Sequence, residues 1–206
     1  LADPSASTTE LVSARNAAAP RSSGIADSRV GPGSVSANGR YVAFTSLGDD
    51  LVAGDVNDSA DVFRRDLALG ATVLVSRNRD GGDSGNAGSS SPSLSADGSV
   101  VAFASDASDL VAHDTNGTLD VYARDLAAGR TTLASPNRDG TGSANGASDS
   151  PRMGADGRQV VFRSWANDLA PLGATVYPQW FLGDLISGAC SLLSHKNSST
   201  PLTSPT

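Results

Sequence analysis

Phe44, Phe103 and Phe162 recur at intervals of 59 residues, and so do Asp66, Asp125 and Asp184, and Gly70, Gly129 and Gly188. Three different residue types that keep one interval mean a tandem structural unit. A unit of this length stacks into an array in which each copy rests on its neighbour, and it does not build separate cores. Residues 96–135, ADGSVVAFASDASDLVAHDTNGTLDVYARDLAAGRTTLAS, are the clearest copy.

Around that copy, SPSLS (91–95) alternates in polarity, Ala96-Asp97-Gly98 supplies a tight turn, and SVVAFAS (99–105) is a β-branched and aromatic run. A polar loop (106–120) leads to VYARDL (121–126), which turns through Ala127-Ala128-Gly129 into RTTLAS (130–135). Two hairpins of this kind predict a four-stranded antiparallel sheet. Its SVVAFAS strand reads as the inner one. Val101 and Phe103 lie on one face of it and Ala102 on the other, so both faces are apolar and both need cover.

Successive sheets stacked face to face meet that need in a β-propeller, whereas a β-sandwich has no use for a 59-residue period. The expected fold is all-β, with three complete blades and flanking strands. Residues 1–33 read as an N-terminal strand (8–13) and a linker, 34–76 and 91–135 as blades, 150–194 as an altered blade, and 195–206 as a tail. The connections 77–91 and 136–150 are long and rich in Gly, Ser and Asn.

Fifteen basic against 22 acidic residues give a net charge of −7, which repels nucleic acid and anionic membranes. No apolar run approaches the ~20 residues of a membrane-spanning helix. Cys190 has no second cysteine to pair with and reads as a small strand residue. A chain starting at Leu1 reads as a processed form or a piece of a longer one.

Ser95-Ala96-Asp97-Gly98 followed by Val101-Ala102-Phe103, then Asp109-Leu110-Val111, Asp114, Asn116, Asp120-Val121-Tyr122, and Arg124-Asp125-Leu126 with Gly129, form a signature that recurs across residues 34–194. It resembles the Asp-rich, WD40-like β-propeller repeats of bacterial exported proteins, the TolB-like repeats. The resemblance implies four-stranded blades, a secreted or periplasmic setting, and a non-catalytic binding or scaffold module with a protein or carbohydrate partner. The alternative is a propeller accessory to a hydrolase or peptidase whose catalytic part lies outside this chain. Closed propellers usually have about four to eight blades, so a second copy completing the ring is one expectation and a longer parent chain the other.

The most specific polar pattern is Asp55, Asn57 and Asp61, repeated as Asp114, Asn116 and Asp120. Oxygen side chains at alternate positions of a tight loop suit calcium. They suit turn capping better, in which Asp and Asn bond the backbone two residues on. The third repeat has Gly173, Thr175 and Gln179 at these places, while Asp50-Leu51, Asp109-Leu110 and Asp168-Leu169 persist in all three, which predicts Leu in the core and Asp as a loop clamp. Gly82-Asp83-Ser84-Gly85 copies a serine-protease string but lies in a Gly/Ser-rich connection, and the two histidines, His113 and His195, show no partner pattern.

Overall fold

In the computed structural model the described residues are 27–171 and 177–194, together with Val12 and Ser13. They form three four-stranded antiparallel sheets, each in chain order. The first holds β1 (Ser28–Arg29), β2 (Tyr41–Ser46), β3 (Asp61–Asp66) and β4 (Ala71–Leu74). The second holds β5 (Ser89–Leu94), β6 (Val100–Ser105), β7 (Asp120–Asp125) and β8 (Arg130–Leu133). The third holds β9 (Ser148–Met153), β10 (Gln159–Ser164), β11 (Gln179–Asp184) and β12 (Cys190–Leu192). Among the described residues no helix is long and apolar enough to cross a membrane.

The register puts one aromatic pair at the centre of each sheet: Phe44 opposite Phe63, Phe103 opposite Tyr122 and Phe162 opposite Phe181. The rings stack with centroids 5.5, 5.9 and 5.9 Å apart. The opposite face of each sheet is flatter. Ala43 and Val62 of the first sheet, with Val75 just past β4, receive Val101, Phe103 and Tyr122 of the second. Ala102, Val121 and Ala123 of the second receive Phe162 and Phe181 of the third. Small residues on one face and aromatics on the next let twisted sheets approach closely, so the chain is a β-propeller segment of three blades.

β5 packs against β2, β3 and β9, and β9 packs against β6 and β7. The first strand of each blade therefore lies innermost, and the strand carrying Phe103, read from sequence as inner, is second. Pro92 and Pro151 sit where β5 and β9 lose register with their neighbours, beside Ser91 (φ 56°) and Ser150 (φ 53°). Proline has no N–H for the ladder, so a bulge is where an inner strand tolerates it. β1 falls within the stretch read as linker, because Gly31-Pro32-Gly33 interrupts its alternation before Val35 pairs again with Val42. The strand expected at 8–13 lies outside the described residues except for Val12 and Ser13, which form a turn; Val12 packs on the cluster of Phe44, Leu51, Val52, Phe63 and Leu74.

The long connections are folded onto the blades. The Arg79 N–H donates to the Asp109 carbonyl at 2.9 Å and the Asn86 N–H to the Asp109 carboxylate at 2.9 Å. Arg138 and Asn145 bond Asp168 in the same way. Leu110 and Leu169 are buried beside these clamps.

Candidate functional site

The aspartate loops run from the second strand of a blade to the third, and each packs against the connection that leaves the same blade. In the second blade every member is paired. The Asn116 side chain donates from Nδ2 to Asp120 Oδ2 (2.8 Å) and to the Ala144 carbonyl (2.6 Å), while its Oδ1 accepts the Thr118 N–H (2.9 Å). A carbonyl at one end and a backbone N–H at the other leave the amide one orientation, with its donor facing Asp120. Asp120 Oδ1 accepts the Ser135 hydroxyl at 2.7 Å, and that hydroxyl in turn accepts the Val121 N–H. Asp114 takes the Tyr122 hydroxyl at 2.6 Å and the Ser143 hydroxyl at 3.2 Å. The loop thus joins two strands and a connection through hydrogen bonds, with the Asn116 oxygen taken up by the Thr118 N–H.

The first blade repeats the scaffold with one group missing. Asn57 again donates to the next connection, at the Gly85 carbonyl (2.7 Å), and accepts the Ser59 N–H. Ser76 donates to Asp61 Oδ1, and Ser84 accepts the Val56 N–H while bonding Asp55. Phe63, however, stands where Tyr122 stands in the second blade. Without that hydroxyl, Asp55 and Asp61 lie within hydrogen-bonding reach of each other, and Oδ2 of each is buried with no donor. Asp61 is 0 % and Asp55 7 % exposed.

Burial sets the electrostatics. It raises the Asp55 carboxyl to about 7, with the Asp61 charge adding to the rise. Burial likewise raises Asp61 to about 6 against the Ser76 donor, and Asp120 to about 7 against Ser135 and Asn116. Uncharged or charge-compensated carboxyls are what such dry positions favour.

Gly173 and Thr175 of the third repeat lie outside the described residues. Gln179 takes the place of Asp120 and keeps its bond, accepting the Ser194 hydroxyl at 2.6 Å. Asp66, Asp125 and Asp184 each accept the N–H groups two and three residues on, closing the turns that Gly70, Gly129 and Gly188 finish at positive φ. Cys190 is half-buried against the Ala134 carbonyl, and burial pushes its thiol up to about 12.

Ser84 of the GDSG string is buried, and its repeat counterpart Ser143 makes the equivalent bonds, to the Thr115 N–H and to Asp114. Neither Ser84 nor Ser143 stands out by sequence as part of the loop site. Their shared 59-residue interval was the available signal.

No family model matches the chain, and no curated protein matches it. Solved structures similar to it include TolB from Acinetobacter baumannii (16% identity, TM-score 0.46), covering 79% of this chain and 32% of that one. A putative TolB from Agrobacterium tumefaciens is 17% identical (TM-score 0.46, 77% of this chain and 46% of that one). The β-propeller domain of the Trilobed protease from Pyrococcus furiosus is 14% identical (TM-score 0.46, 79% and 41%). The chain spans less than half the length of each of these three structures.

Proposed function

We propose that the chain is a non-catalytic binding or scaffold module of an exported bacterial protein. The observation that carries this reading is that the side chains most suggestive of chemistry are used by the blades themselves. Ser84 and Ser143 make the same bonds one repeat apart, and the aspartates tie loops to strands. A residue repeated in one structural role is serving the repeat. What varies between blades is left to recognise a partner, a protein or a carbohydrate.

The test pairs two measurements on the purified chain. Chromogenic ester, peptide and glycoside substrates are expected to show no turnover beyond that of Ser84→Ala. Crosslinking to the exported protein fraction is expected to enrich one partner with the folded chain and none with a heat-unfolded control. Turnover that disappears in Ser84→Ala would overturn the reading.

A second reading concerns the first blade alone: Asp55 and Asp61 hold a calcium ion. It is favoured by their two buried oxygens without donors, a feature that the second blade lacks. Calcium is then expected to raise the melting temperature through its linkage to the folded state. The rise should vanish in Asp55→Asn and persist in Asp114→Asn. Calcium and chelator scans that superimpose would leave the pair sharing a proton.

A further inference from the structure

The cleft between the outer halves of the first two blades encloses about 400 Å³ and is lined by Arg64, Arg77 and Arg124, with Val52, Val73 and Leu126 among its apolar walls. Among the described residues no carboxylate lines it. This is unusual in a chain of net charge −7, whose arginines elsewhere pair readily: Arg40 with Asp66, Arg158 with Asp184 and Arg163 with Asp149.

Each of the three has a neutral partner and, among the described residues, no ion-pair partner. Arg124 is only 7 % exposed, and among the described residues its guanidinium donates only to the Thr131 hydroxyl, from Nη1 at 2.9 Å. Arg64 donates from Nη1 to the Gly98 carbonyl at 2.9 Å and lies 4.4 Å over the Tyr41 ring, while its Nε is buried without an acceptor. The carboxylate that acts on Arg64 at longer range, Asp66, is held by a two-pronged bond to Arg40. Arg77 donates to the Gly81 carbonyl. Burial lowers the Arg124 guanidinium from its ordinary value, and the neighbouring Arg77 charge lowers it further. Removing a guanidinium from water without a counter-charge is unfavourable, and planar N–H forks match carboxylate and phosphate oxygens.

We infer that this cleft is a binding site for a small amphipathic anion, whose carboxylate or phosphate is held by Arg77, Arg124 and Arg64 and whose apolar body lies along Val52, Val73 and Leu126. The inference rests on the reading of the array as a binding module and names the chemistry that one of its sites takes. Loss of this site would leave protein recognition by the blades untouched, so the two fail separately.

Thermal scans and calorimetric titration of the whole chain test it, with benzoate and inorganic phosphate as probes at matched ionic strength and sodium chloride as control. A saturable rise in melting temperature with benzoate, with phosphate, or with both is expected, and the stronger arm identifies the headgroup. Arg77→Ala should weaken binding at least tenfold, whereas Arg158→Ala, on the rim of the third blade, should leave it unchanged. Arg124→Met should abolish binding and, by removing an uncompensated buried charge, melt above the unsubstituted chain when no anion is present. Shifts no larger than those of chloride, or equal in Arg77→Ala and the unsubstituted chain, overturn the inference.

Discussion

At the scale of single residues, one hydroxyl separates the surroundings of Asp114 from those of Asp55. Tyr122 donates to Asp114, and Phe63 has nothing to donate to Asp55. Phe63→Tyr is therefore expected to stabilise the chain by about 1 kcal/mol, the usual net value of a completed buried hydrogen bond, read as a higher urea midpoint at unchanged slope. Proton binding at these loops also fixes a pH dependence. Asp120 titrates near 7 when folded and near 4 when unfolded, so the stability it contributes is complete below pH ~4 and is lost as pH rises through 7. Asp55 and Asp61 act in the same direction. Asp97 and Asp184, held near 2 by their hydrogen-bond donors, act in the opposite direction, and their contribution is lost only as pH falls through that value. Urea midpoints should thus be higher at pH 5 than at pH 8, with the difference reduced in Asp120→Asn. A midpoint that rises between pH 5 and pH 8 would contradict this balance.

At the scale of the strand, the aromatic pair of one blade is the core of the interface with the blade before it. Phe103 is fully buried between Tyr122 and the flat face around Ala43 and Val62. Phe103→Ala should cost roughly 3 to 5 kcal/mol, as large-to-small changes in tight cores do, and chemical denaturation would measure it. The turn before β6 is as tightly constrained. Gly98 has φ +73°, and a Cβ there would meet Tyr41 Cδ2 at 2.5 Å, so Gly98→Ala is expected to destabilise through both strain and contact. These elements were legible because an alternating apolar strand and a Gly-closed turn are local signals. β1 was not, because two glycines and a proline break its alternation while the register with β2 resumes on either side.

At the scale of the whole molecule, the third blade ends the described array with a face unlike the two before it. Ala43 and Val62, then Ala102 and Val121, seat the following sheet. Their counterparts are Val161 and Trp180, and nearby Arg163 is clamped by Asp149 and lies 4.8 Å over the Trp165 ring. Trp165 and Trp180 remain exposed. Exposed tryptophan beside arginine is the composition of an interface. Native mass measurement at low micromolar concentration is expected to find two copies, and Trp180→Ser to return the chain to one. A single copy for the unsubstituted chain would mean that this face needs no cover from its own kind.

The 59-residue interval was enough to establish the repeat, and the Gly-closed turns and the apolar runs between them were enough to establish the antiparallel hairpins and the apolar character of both faces of the Phe103 strand, because strand period and turn chemistry act over a few residues. The aspartates and asparagines were visible in the same way, but not what they do. The orientation of Asn116 depends on a carbonyl from the next connection, and the missing donor at Asp55 depends on a ring from β3. The arginine cleft was beyond reach for a sharper reason. Arg65 and Arg124 are one period apart, and Arg64 is one residue off that period. Adjacent side chains on a strand point to opposite faces, so Arg64 leaves the rear of the first blade while Arg124 leaves the front of the second. Only the stacking of one sheet on the next turns those two faces into a single wall-to-wall cleft.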